Sequence, residues 1–185
     1  MDPERGDGEG GRKVTLLVAG HRAVFGPHPG LAAVDVAAAR RHGVGRGEDP
    51  PVGGLTFHHL GVASADLAAD VEALSSLGYA TAGEPFTDVG QGIRGVFLRG
   101  PGPQLEVVEQ LPGSTVLEDW LARGVRIYHQ AFLADPFQAE LRQLRERGGL
   151  PLARPTPAVA FNGRQICFMM LRDQMLVELI EAGPD

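Results

Sequence analysis

Between residues 56 and 182 the chain switches between two hydrophobic periods, and it does so twice in the same order. Thr56 to Ala63 alternates like a strand, and Asp66 to Leu74 then carries apolar residues at helical spacing before Gly78. Gly95 to Arg99 and Leu105 to Gln110 follow as short strands around the turn Gly100-Pro101-Gly102-Pro103. A second pass opens with a strand from Arg126 to Leu133. A helix begins at Pro136, in a first-turn position after Asp135, and runs toward Arg147, where Gly148 and Gly149 end it. Strands at Gln165 to Leu171 and Leu176 to Ala182 close the pass. Residues 55–112 and 125–183 therefore read as two copies of one strand–helix–strands unit.

Upstream, residues 1–50 form an N-terminal extension. Residues 1–12 are acidic and Gly-rich and read as a disordered leader. Val14 to Ala19 suits a short strand, Leu31 to Arg41 a helix, and Gly43 to Gly54 a linker.

Composition narrows the function classes. In 185 residues, 43% hydrophobic and 22% charged is globular, while 26 glycines and 14 prolines call for many turns. A diffuse net charge of −6 disfavours nucleic acid and anionic membrane surfaces as partners. No apolar run approaches the roughly 18 residues of a membrane span, and the N-terminus lacks the apolar core of a secretory signal. The expected setting is the cytoplasm. Cys167, the single cysteine, excludes an intrachain disulfide and lies in the apolar run from Ile166 to Leu171, as a buried structural thiol would.

The duplication gains chemical meaning from four residues. His59 lies on the first strand of the first unit and Glu106 on its last, 47 residues later; His129 and Glu178 hold the same places in the second unit, 49 apart. Alternation puts Glu178 on one face with Leu176 and Ile180, His129 with Ile127 and Ala131, and His59 with the small residues Gly61 and Ala63. His58 then points to the opposite face and is the weaker candidate. A carboxylate or imidazole on an apolar face needs a partner, because burying an unpaired charge is costly. A divalent cation would satisfy all four. The alternative is a pair of hydrogen-bonded core histidines, with the glutamates held by Arg94, Arg126, Arg164 or Arg172.

The stretch from Phe57 to Ala63, followed by Asp66 and Leu67, resembles the opening of a vicinal oxygen chelate protein. Ser114 to Leu121, followed by Tyr128-His129-Gln130-Ala131, is similar to the methylmalonyl-CoA epimerase branch, and Met175 to Ile180 resembles that branch's closing strand. The resemblance covers about residues 56–182. It implies an α+β fold in which paired βαβββ modules form a cup-shaped mixed sheet around a divalent metal, and by family analogy a homodimer. It also implies that His59, Glu106, His129 and Glu178 are the ligands, since they fall where this family places them. Nitrogen and oxygen donors suit Co, Ni, Mn, Zn or Fe.

One position departs from the epimerase pattern. Aligned through Gln91 and Gly92, the place of the branch's catalytic glutamate is Gly95. Two-base epimerisation needs an acid/base on each face of the α-carbon, so simple methylmalonyl-CoA epimerisation is not expected. The reading is a metal-dependent isomerase, epimerase or lyase that forms an enolate or enediolate on an acyl-thioester or α-oxo substrate. Glu178 is its base, and Glu106, opposite, returns the proton. Small-molecule sequestration and ring-cleaving dioxygenation are the alternatives; the latter wants two His, one carboxylate and three open positions.

Overall fold

The structure is a computed structural model. It describes residues 54–172 and 174–183, together with two antiparallel strands, β1 (Val14–Val18) and β2 (His21–Phe25). The leader, the Leu31 to Arg41 helix and nearly all of the linker lie outside the described residues.

The first unit comprises β3 (Gly54–Ser64), α1 (Leu67–Ser75), β4 (Ala80–Thr81), β5 (Phe86–Asp88), β6 (Ile93–Arg99) and β7 (Leu105–Gln110). A short helix, α2 (Glu118–Ala122), leads into β8 (Ile127–Asp135), α3 (Phe137–Glu146), β9 (Leu150–Pro151) and β10 (Thr156–Pro157). A 3-10 turn at Val159–Phe161 precedes β11 (Gln165–Met170) and β12 (Leu176–Glu181). The two-residue strands, α2 and the 3-10 turn are too short for periodicity to reveal. Pro136 precedes α3 with an extended backbone (φ −74°, ψ 132°), so it stands at the N-cap position, without a side-chain cap, instead of in the first turn.

Ten strands make one open mixed sheet in the order β10-β11-β12-β8-β3-β7-β6-β4, with β5 adding to β6 and β9 to β11. The order is palindromic about its middle. In each half the opening strand pairs in parallel with the closing one, β3 with β7 and β8 with β12, and the halves meet where β3 and β8 run antiparallel. The duplicated sequence pattern thus folds as a pseudo-symmetric pair whose seam carries both histidines.

The helices α1 and α3 cover one face. Asp66 caps α1 by accepting from the Ala69 N–H at 3.1 Å, a bond that stabilises a helix by about 1 kcal/mol. Leu67, Val71 and Leu74 then pack on Val62, Val96, Leu98, Leu105 and Val107. In the second half Phe137, Leu141 and Leu144, again one helical stripe, pack on Cys167, Met169, Val177 and Leu179. Cys167 is buried there, and burial pushes its thiol up to about 11 despite the opposing charge of Arg145, so it is an inert core residue. Alternation sends Glu106 and Val108 to the face opposite Leu105 and Val107. That inner face is lined by Ala131, Phe161, Phe168, Leu176 and Ile180 on one side and by Ala63, Ile93, Val108 and Leu117 on the other. Among the described residues no helix is long and apolar enough to cross a membrane.

Candidate metal centre

The seam between β3 and β8 contains two β-bulges. Phe57 pairs with Phe132 and His59 with Ala131, which leaves His58 as the extra residue of β3; Gly61 pairs with His129 and Val62 with Ile127, which leaves Tyr128 as the extra residue of β8. Each bulge immediately precedes a candidate ligand. Between them lie three regular pairs, and on the inner face His59 stands across from Ala131 while His129 stands across from Gly61. Each imidazole therefore faces a residue with little or no side chain. Glu106 is in register with Gly61 from the far side, and Glu178 with Ala131. The four ligand types consequently occupy four adjacent strands around two small residues.

Convergence is close. His59 Nε2 lies 3.1 Å from His129 Nε2, 3.2 Å from Glu106 Oε2 and 3.5 Å from Glu178 Oε2. His129 Nε2 lies 3.4 Å from Glu178 Oε2 and 3.8 Å from Glu106 Oε2. One donor atom from each of the four falls within 4.8 Å of all the others, and all four residues are buried. Metal–ligand bonds of about 2.1 Å put neighbouring donors roughly 3.0–3.4 Å apart in octahedral or tetrahedral arrangements. Glu178 Oε2 is buried without a hydrogen-bond partner among the described residues, although it faces both imidazoles. An orphaned carboxylate oxygen beside two Nε2 atoms and a second carboxylate fits a divalent cation, whose charge offsets both glutamates. Arg94 and Arg126 do not compete for these carboxylates: Arg94 pairs with Glu109 at 2.6 Å, and Arg126 pairs with Asp70.

Burial and crowding split the two carboxyls. Glu178 is pushed up to about 8, by burial first and then by the charge of Glu106, against the pull of His59. Burial also pushes Glu106 upward, but the charge and hydrogen bond of His59, with the charges of His129 and His58, outweigh it and hold Glu106 below its ordinary value. His129 falls to about 4 because its burial outweighs the charge of Glu106. The protein alone thus favours one neutral and one ionised carboxyl, the expected division for two buried acids that share a site.

The surroundings are aromatic. The Phe161 ring lies stacked at 6.0 Å over His59, and Phe97 stands edge-on to it at 5.4 Å. Tyr128 meets His129 edge-on at 4.5 Å and Phe168 does so at 5.4 Å. Burial, and then the charges of Glu106 and Glu178, push the Tyr128 hydroxyl well above its ordinary value, so it stays protonated. Phe161 is held over the site by Asp88, whose buried carboxylate accepts from the Val159 N–H at 3.1 Å and from the Gln91 N–H at 3.0 Å.

Two features depart from strict alternation, and a third concerns the position of the absent base. His58 is not turned away: its Nδ1 lies 2.8 Å from His59 Nδ1, and its ring packs on Phe161 and Phe97. Ile127 does not share the inner face with His129, because the bulge at Tyr128 intervenes and leaves Ile127 exposed. Finally, Gly95 is tightly enclosed. A Cβ there would lie 2.7 Å from the Val107 carbonyl oxygen, 2.8 Å from Val108 Cγ1 and 2.9 Å from Phe86 Cζ. Sequence reasoning also passed over Asp88 and Phe161, since neither stands in a motif.

With the geometry in place, comparison with known proteins is informative. The profile of the Glyoxalase/Bleomycin resistance protein/Dioxygenase superfamily matches residues 58–168. The chain belongs to this superfamily. No match is found among curated proteins. Among solved structures, a methylmalonyl-CoA epimerase from Mycobacterium tuberculosis is 28% identical with a TM-score of 0.59, over 71% of this chain and 89% of that one. A hypothetical protein from Bacillus halodurans is 21% identical with a TM-score of 0.62, over 71% and 96%. A Streptomyces coelicolor methylmalonyl-CoA epimerase variant in complex with 2-nitronate-propionyl-CoA is 24% identical with a TM-score of 0.57, over 70% and 99%. The likeness to the Mycobacterium tuberculosis epimerase supports the epimerase-like side of the superfamily, and all three structures share the fold.

Proposed function

We propose that this protein is a divalent-metal-dependent isomerase, epimerase or lyase that forms an enolate or enediolate on an acyl-thioester or α-oxo substrate. The reading is carried by one observation: two histidines and two glutamates from four adjacent strands converge in a buried site with their donor atoms within 4.8 Å. The acyl-thioester class is favoured because epimerase neighbours were solved with methylmalonyl-CoA or 2-nitronate-propionyl-CoA. A homodimer is part of the same reading and rests on family analogy.

His59, Glu106, His129 and Glu178 would hold the ion. When bound, it would supply Lewis-acid stabilisation of negative charge developing on a substrate oxygen. The remaining work belongs to the chain. Glu178 Oε2 faces the centre with no hydrogen-bond partner among the described residues, and accepts the α-proton. Phe97, Phe161 and Phe168 exclude water, which would otherwise quench the carbanionic intermediate. Glu106 is the candidate for proton return from the other side. Position 95 contributes no base, and the Phe86 ring closes the space around it. With position 95 closed, proton return from the opposite face falls to Glu106.

The test is α-proton exchange. Metal-loaded protein incubated in heavy water with acyl-thioester and α-oxo compounds should place deuterium at the α-carbon of its substrate. Glu178→Gln should abolish exchange. Glu109→Gln should preserve it, because Glu109 pairs with Arg94 away from the inner face. A compound that binds tightly and never exchanges would replace this reading with sequestration.

A further inference from the structure

The two candidate ligand histidines hold equivalent places, yet their second ring nitrogens do not have equivalent surroundings. His129 Nδ1 is buried with no hydrogen-bond partner among the described residues, whereas His59 Nδ1 lies 2.8 Å from His58 Nδ1. The difference arises at the two bulges. In β8 the bulged residue is Tyr128, which presents a ring edge to His129; in β3 it is His58, which presents a nitrogen to His59. A strand without the bulge would have sent residue 58 to the helix-covered face, out of reach.

A neutral imidazole carries one N–H, and the partner of one nitrogen decides which nitrogen holds it. Two Nδ1 atoms at 2.8 Å can bond only if one donates and the other accepts. His59 directs Nε2 at the other three donors, so a metal requires that nitrogen bare and the ring proton on Nδ1. His58 Nδ1 is then the acceptor, and the His58 proton sits on its own Nε2. Phe97 and Phe161 contact both rings, at 5.4 to 6.0 Å between centroids, and keep the pair from sliding apart.

We propose that His58 is a positioning residue that holds His59 in the tautomer whose Nε2 binds the divalent metal. Resting on the metal-centre reading, this makes His59 the oriented histidine of the pair, while His129 Nδ1 has no such partner among the described residues. Partners of ligand histidines commonly set metal affinity by about 10–100-fold.

The experiment is calorimetric titration of the chelator-stripped full chain with Zn(II), comparing the parent with His58→Phe, His58→Asn and His58→Gln. Phenylalanine keeps a ring and removes the acceptor. Asparagine places a carbonyl oxygen near the position of Nδ1, whereas the glutamine oxygen reaches nearer the position of Nε2. His58→Phe and His58→Gln should bind Zn(II) roughly 10–100-fold more weakly, and His58→Asn should stay within about threefold of the parent. In the zinc-loaded parent, nitrogen-15 NMR should show the His59 proton on Nδ1. Equal affinity in the parent and His58→Gln, or equal losses in His58→Asn and His58→Gln, would overturn the proposal even if the phenylalanine variant fails to fold. A parent that binds no divalent metal would instead overturn the metal-centre reading.

Discussion

Gly61 offers a way to perturb the candidate metal centre without touching a candidate ligand. A Cβ added there would lie 2.0 Å from His129 Cε1, 2.2 Å from Nδ1 and 2.6 Å from Nε2. Carbon atoms in contact settle at about 3.5–4.0 Å, so the ring would have to retreat by roughly 1.5 Å or more. It has nowhere suitable to go: Tyr128 and Phe168 meet it edge-on, and the residue is 2% exposed. A shift of that size exceeds the tolerance of about 0.2 Å within which a ligand stays at bonding distance. Gly61→Ala should therefore cost about 1–3 kcal/mol from overpacking and should also lose metal affinity. The two effects separate in thermal melts. Metal at one hundred times its dissociation constant stabilises the parent by about 2.7 kcal/mol, or roughly 5–11 °C for a domain of this size. Gly61→Ala should lose most of that metal-dependent increment, as should His129→Ala. Gly149→Ala crowds the Leu144 carbonyl at 2.9 Å, away from the four ligands, and should lower the melting temperature while keeping the increment. A Gly61→Ala protein with the parent's metal content and metal-dependent shift would refute the geometry.

Two further outcomes follow from the same site. In the metal-free protein Glu178 is raised from 4.5 to about 8 and His129 lowered from 6.5 to about 4. From pH 4.5 to 6.5 their proton counts oppose each other: the folded state retains the Glu178 proton, and the unfolded state retains the His129 proton. Above 6.5 only the Glu178 difference remains, so the folded state binds the extra proton and stability falls with rising pH by about 2 kcal/mol up to pH 8. Glu178→Gln or bound metal should flatten that slope in denaturant titrations, and a chelated parent that gains stability from pH 6.5 to 8 would contradict it. Methylmalonyl-CoA should be a poor substrate, and Gly95→Glu alone should destabilise the protein without raising epimerase activity, given the contacts with the Val107 carbonyl and Phe86. Circular dichroism and a coupled epimerase assay check this; efficient epimerisation by the parent would show that no base is needed at position 95.

Much of the architecture was legible in the chain. The strand–helix–strands order appeared twice because alternation and helical spacing are local, and Asp66 and the stripe of Leu67, Val71 and Leu74 carry their own helix signals. The four candidate ligands were legible for a related reason: duplication put His59 and His129, and Glu106 and Glu178, at matching places, and their face assignments needed only period two. Tertiary structure decided what depends on pairing between strands some 70 residues apart. The bulges at His58 and Tyr128 exist only because β3 and β8 pair out of step, so no local period could place His58 beside His59 or expose Ile127. The need for glycine at 61 is set by the ring of His129, and the closure around Gly95 by Phe86 and β7. Asp88 gained its role from a backbone N–H 71 residues away. Local chemistry named the candidate ligands, whereas the seam between the halves determined which residues stand next to them.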